Sequence, residues 1–244
     1  MSRLLLTISY LGTNYCGWQV QPNGVSVQQT LQDALQKLYG VRFGVTGCSR
    51  TDSGVHANMF CCHFDTDSDI EPKSVVKALN HFLPKDISAI DCNCVDSDFH
   101  ARYSCKGKNY IYRIYNNPCR NPFEEGRALH IGTQLDDKVM NEFCNNLVGK
   151  FDFSVFSSSG TGVSNFVRTI TECNASRNND IITLSVSADG FLYNMVRIIV
   201  GTALQAAYGK IKPCDALDVI NSKDRNLAGP TAAAAGLYLN KVFY

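Results

Sequence analysis

Arg50, Thr51 and Asp52 stand in direct succession, with a glycine at position 54, inside the stretch GCSRTDSGVHA (residues 47–57). Apolar, strand-like residues flank the stretch, so the three side chains fall in a tight bend. A carboxylate presented by such a bend can act as a nucleophile or a proton acceptor, and a nearby guanidinium can keep it ionised or bind phosphate. The same residues also compose an ordinary Asx turn, with Asp52 capping its own backbone and Gly54 taking a positive φ. The bend by itself leaves both readings open.

A second cation bears on the choice. The segment MVRIIVGTAL is apolar on nearly every helical face, which implies burial, and Arg197 lies inside it. A buried guanidinium needs a partner, because leaving it unpaired costs several kcal/mol. Asp189, the nearest acid in sequence, precedes the helix, and Asp52 is the alternative if the chain folds into two halves that close on each other. The other outcome is that Arg197 extends to the surface or meets an acid with no chemical role.

Three competing chemistries are disfavoured. An aspartic-protease turn needs two facing aspartates, yet no second D-[ST]-G occurs, and Arg50 would hold Asp52 ionised against a shared proton. GTNYCGW has the glycine spacing of a phosphate loop, but Trp18 stands where lysine is required. The chain has 11 cysteines and no C-x-x-C, and the adjacent Cys61, Cys62 and His63 alternate across a strand, which argues against zinc.

A different chemistry is suggested by FHARYSCKGKNYIYRIYN, residues 99–116. His100, Arg102, Lys106, Lys108 and Arg113 alternate there with Phe99, Tyr103, Tyr110, Tyr112 and Tyr115. Cations bind phosphate and aromatic faces stack on unpaired bases, a combination suited to a distorted RNA strand. Period-two alternation puts Tyr110, Tyr112 and Ile114 on one face. Tyr112 is expected to pack in the core, whereas Tyr110, beside two lysines, is placed at a site wall.

The elements that must hold these residues run β-α-β-β-α-β over the first hundred positions. They comprise a strand at 3–10, a helix capped by Ser26, strands at about 42–48 and 56–66, a helix from Pro72 and a strand at 87–95. Further strands and helices follow without regular β-α alternation, so the class is α+β, mostly antiparallel, and not doubly wound. Two halves are expected, residues 1–104 and 105–244, around a central cleft. The net charge of +1 requires any RNA to be held by a local patch. Hydrophobic residues at 45% and charged residues at 18% are ordinary for a globular chain, no run suggests a membrane span, and the odd number of scattered cysteines favours reduced cytoplasmic thiols.

Five blocks, in order, resemble the tRNA pseudouridine synthase I (TruA) family. They are GCSRTDSGVHA, FHARYSCKGKNYIYRIYN, FDFSVFSSSGT with VRTI, GFLYNMVRIIVGTAL and AGPTAAAAGLYL. Cys48, Ser49 and Ser53 depart from the family's usual residues without replacing an acid, an arginine or a motif glycine. The resemblance implies the pseudouridine synthase fold, a homodimer joined through the second half, and no metal or organic cofactor. It implies isomerisation of uridine at positions 38–40 of the tRNA anticodon stem-loop, with Asp52 as the essential aspartate. By the same resemblance Arg50 approaches the target and helps extrude the base, Tyr110 stacks on it, and Arg197 pairs with Asp52. Arg102, Lys106, Lys108 and Arg168 are the expected tRNA phosphate contacts. The alternative function is a catalytically idle RNA-binding or chaperone protein that keeps the cleft, although a pure binder has no use for a carboxylate facing phosphates.

Overall fold

The computed structural model describes residues 2–160 and 163–244. Its strands are β1 (Ser2–Tyr10), β2 (Thr46–Gly47), β3 (His56–Thr66), β4 (Ile87–Val95), β5 (Gly107–Asn116), β6 (Leu129–Ile131), β7 (Gly149–Asp152), β8 (Val167–Asn178), β9 (Ile181–Ala188) and β10 (Leu237–Phe243). Its helices are α1 (Val27–Tyr39), α2 (Pro72–Phe82), α3 (Asp137–Asn145), α4 (Met195–Ala207) and α5 (Ala216–Ser222). Two units divide the chain, the first made of residues 1–106 and 238–244 and the second of residues 107–237. Among the described residues no helix is long and apolar enough to cross a membrane.

In the first unit β1 is central, antiparallel to β3 on one side and to β4 on the other. Alternation along β1 buries Leu4, Leu6, Ile8 and Tyr10, which meet Phe60 and Phe64 of β3 in one apolar layer. Helix α1 covers this layer with Val27, Leu31 and Leu35, and α2 adds Val75 and Leu79. The α1 boundaries follow from sequence. Ser26 Oγ accepts from the Gln29 amide at 3.2 Å, and Gly40 stops the helix in the left-handed region at φ 76°. The last strand, grouped with the second half by the sequence reading, belongs instead to the first unit. Tyr238 and Leu239 of β10 pair parallel to His56 and Ala57 of β3.

The expected strand at 42–48 shrinks to two residues. Side chains of α1 take the carbonyls a strand partner would have used: Gln32 donates to Phe43 O at 2.7 Å and Gln28 to Val45 O at 2.8 Å.

In the second unit β9 lies between β5 and β8, all antiparallel, with β7 beyond β8 and the short β6 parallel to β5. Tyr110, Tyr112 and Ile114 of β5 are buried on one face, opposite Val186, Leu184 and Ile182 of β9. Helix α3 is capped by Asp136, whose carboxylate accepts from the Lys138 and Val139 amides. It ends at Asn145, earlier than its apolar pattern predicts, and the chain turns through Gly149 at φ 137° into β7. Helix α4 is buried on most of its surface, from Val196 to Ala206, as its composition requires.

A loop at 228–236 clamps α4. A Cβ on Gly201 would lie 1.7 Å from Pro230 O, so the helix and the loop touch backbone to backbone. Thr202 Oγ1 accepts from the Gly229 amide at 2.8 Å and donates to Ile198 O at 2.7 Å. This contact explains the sequence AGPTAAAAG: larger side chains would push the loop off the helix.

Candidate active site

The bend carrying Asp52 rests on the segment 12–18 of the same unit. Trp18 N donates to Thr51 O at 3.1 Å, and Gly54 N donates to Tyr15 O at 3.3 Å. Within the bend Val55 N donates to Asp52 O at 3.1 Å, and Gly54 takes φ 77°, as the turn chemistry predicts. Thr51 faces inward and shares a hydrogen bond of 2.8 Å with Tyr10 OH. Two glycines let the segments approach. A Cβ on Gly12 would lie 1.9 Å from Val55 O, and one on Gly17, at φ 107°, would lie 2.5 Å from Thr51 O. Asp52 is half-buried on this support. The glycine spacing that mimics a phosphate loop in sequence therefore serves as the seat of the aspartate bend.

Side chains below the bend are fixed as well. Trp18 stacks on Phe60 with ring centroids 4.1 Å apart, and Gly47 has no Cβ because one would strike the indole at 2.6 Å. His56 is fully buried, its Nδ1 accepts from the Gly12 amide at 2.8 Å, and its ring lies 4.5 Å from Tyr238. Burial and the bond to Asp86 both raise the Tyr15 phenol above its ordinary range.

Among the described residues Arg50 makes no salt bridge; its exposed side chain lines a pocket of about 250 Å³ together with Trp18, Gln19, His100, Arg102 and Tyr103. The 99–104 turn on the pocket's far wall is well anchored. Arg3 clasps Asp65 through two bonds of 2.7 and 2.8 Å and donates to Phe99 O, and Tyr244 OH donates to Ala101 O at 2.8 Å. The guanidinium of Arg3 holds the Asp65 carboxyl below its usual range. His63 Nδ1 accepts from the Ala101 amide at 3.1 Å, and burial followed by the charge of Arg3 lowers the His63 pKa.

In the second unit Tyr110 is buried edge-on against Phe191, with centroids 4.9 Å apart. Tyr112 is a core residue, as its strand position predicts. Its hydroxyl donates to Ala233 O at 2.7 Å, and burial raises its pKa. Arg197 sits in the first turn of α4, half-buried. Its Nε donates to Ala232 O at 2.7 Å, Nη1 donates to Asn194 Oδ1 at 2.9 Å, and the Ala232 amide returns a bond to Arg197 O. The 228–236 loop therefore orients this guanidinium as well as clamping the helix. Asp189, the nearest acid in sequence, is engaged elsewhere, accepting from the Thr169 amide at 3.0 Å.

The four expected phosphate contacts differ in availability. Arg102 and Lys106 are exposed in the first unit, and Lys108 is half-buried on β5. Arg168 turns its Nη1 back onto Asn165 O and Val167 O, at 3.0 and 2.6 Å, which fixes its orientation. Thr161, in the third sequence block, lies outside the described residues. Among the described residues no three His, Cys, Asp or Glu side chains gather as a cation site requires. The arrangement offers a rigidly seated carboxylate with a cationic, aromatic pocket beside it, and an oriented arginine and a buried tyrosine in the second unit.

A family model described as tRNA pseudouridine synthase matches residues 6–104 and 143–244. The chain is 46% identical to tRNA pseudouridine synthase A 2 of Clostridium perfringens and 42% identical to tRNA pseudouridine synthase A of a Thermoanaerobacter species. It is 45% identical to the protein of that name from Caldicellulosiruptor saccharolyticus. Each of these matches spans all of both chains. On these matches, and with a mixed, mostly antiparallel fold that agrees with them, the chain belongs to the tRNA pseudouridine synthase family.

Proposed function

We propose that this chain is an isomerase, a tRNA pseudouridine(38–40) synthase (EC 5.4.99.12), converting uridine to pseudouridine in the anticodon stem-loop of tRNA. The observation that carries the reading is the half-buried Asp52 on a bend whose position the backbones of Gly12 and Gly17 dictate. The reaction breaks the N1–C1′ bond and joins C5 to C1′. C5 gives up its hydrogen to solvent and N1 gains one, so the formula is unchanged and no redox partner or organic cofactor is required. The target base is stacked in RNA and must be flipped out, at a cost of a few kcal/mol. In this reading Arg50 assists that extrusion, and Tyr110 stacks on the loosened uracil. Asp52 acts on C1′, on C6 or on a sugar proton, and Arg197 is the cation assigned to keep it ionised. Arg102, Lys106, Lys108 and Arg168 are assigned to phosphates. The working form is a homodimer in the cytoplasm.

The test is site mapping. An unmodified tRNA transcript incubated with the protein, treated with a carbodiimide that stays on pseudouridine through alkali, should stop primer extension at positions 38–40. Stops at other positions alone would overturn the assigned site, and no stops at all would overturn the activity.

A further inference from the structure

The roles above use Arg50 and Arg102 of the pocket beside the aspartate bend but leave its aromatic lining without a ligand. His100 and Tyr103 stack in parallel, with centroids 4.2 Å apart and planes inclined by 27°. His100 Nδ1 accepts from the Arg102 and Tyr103 amides at 3.1 and 3.2 Å, and its own amide donates to Ser104 Oγ, so the lower ring is locked. Tyr103, the upper ring, is nevertheless 76% exposed. A large aromatic side chain resting on a fixed ring and left mostly bare presents a surface that a stacked base would cover. Two cations flank it. Arg102 lies 5.8 Å from the Tyr103 ring centroid and Arg50 is on the same pocket, while among the described residues neither guanidinium has a carboxylate partner. No acidic residue lines the pocket. Its volume of about 250 Å³ falls below the range of about 300–1,000 Å³ for sites that enclose larger ligands, which suits a single base.

We propose that this pocket is a second nucleotide subsite, in which an unpaired base flanking the reacting uridine stacks on Tyr103 while Arg50 and Arg102 hold its phosphates. Asp52 is not among the lining residues, so the occupant is a base other than the one that reacts. Stacking is indifferent to base identity, so the subsite reads an unpaired strand and not a sequence. The proposal rests on the reading that the substrate is RNA, but not on turnover.

The chain's one tryptophan, Trp18, lines the same pocket and reports its occupancy by fluorescence. The probe is pentaadenylate, which contains no uridine. Native protein should show saturable quenching by the probe. Tyr103→Ala should raise the dissociation constant about tenfold, within the usual worth of one base stacked on one aromatic ring, and Tyr103→Phe should restore it. With two phosphates neutralised, log K should fall against log salt with a slope of about −1.4. KM for the tRNA transcript should rise in Tyr103→Ala in parallel with the loss of pentaadenylate affinity. Tyr103-dependent binding supports the subsite even if the protein forms no pseudouridine. Equal affinity of native and Tyr103→Ala for both RNAs overturns it even if the tRNA is isomerised.

Discussion

Replacing Gly17 by alanine tests whether the seat beneath Asp52 matters for chemistry. The backbone at φ 107° lies where an L side chain is strained, at a cost of about 1–2 kcal/mol. The added Cβ would also stand 2.5 Å from Thr51 O and 3.2 Å from the Asp52 carbonyl carbon. Ordinary contact begins near 3.5 Å, so the bend must retreat by roughly 1 Å. A displacement of that size in a reacting group lowers turnover about 100-fold. Gly40→Ala is the control, because Gly40 also has positive φ, 76°, but nothing lies within 4 Å of its would-be Cβ. The assay is pseudouridine formation at saturating tRNA, with thermal unfolding of each variant measured alongside. Gly17→Ala should keep its fold and its affinity for tRNA while losing about two orders of magnitude in kcat. Gly40→Ala, with its Cβ forced into the left-handed region, should lose about 1 kcal/mol of stability and no turnover. Turnover within threefold of native for Gly17→Ala would refute the reasoning.

Three further outcomes follow from other contacts. Tyr112→Phe removes the bond to Ala233 O inside the core and should cost about 1–3 kcal/mol in denaturant unfolding, with turnover retained at temperatures well below the melting point. Gly201→Ala should be more severe, because helix and loop backbones collide, and it should lower kcat by displacing Ala232 from Arg197; intact turnover would separate the clamp from the guanidinium. The lowered pKa of His63 sets a pH dependence. Above about pH 6.5 both folded and unfolded forms are neutral. Below it the unfolded chain takes a proton that the native site resists, so stability falls as pH drops, by at most about 1.4 kcal/mol per pH unit. His63→Asn can keep an acceptor for the Ala101 amide and should flatten this part of the profile between pH 6.5 and 5; an unchanged profile would assign the fall to other groups.

Much of the scaffold was legible from local signals. Ser26 and Gly40 bracket α1, Pro72 opens α2, and alternation locates β1, β3 and the buried face of β5, because caps and periodicity act within a few residues. The apolar run of α4 announces its burial, and a guanidinium set in that run needs partners. Two neutral acceptors from the 194 and 232 positions now stand among them, which no charge count could suggest. What stayed hidden was contact between distant segments. Gly12 and Gly17 resembled a failed phosphate loop, and only the tertiary approach of 12–18 to 51–55 gives those glycines their purpose. The strand expected at 42–48 was lost to glutamine side chains from α1, a competition invisible to strand propensity. Arg50 and Asp52 stand two letters apart, and nothing local shows that Arg50 shares a pocket with Trp18 and Tyr103 from distant segments.

The proposed isomerisation of tRNA uridine depends on Asp52. The most direct measurement uses tRNA transcripts tritiated at C5 of uridine, since forming the C5–C1′ bond expels that hydrogen to water. The native protein should release label and Asp52→Asn should release none, with tRNA binding preserved in the variant. Release by Asp52→Asn at the native rate, or no release by a native protein that binds tRNA tightly, would contradict it.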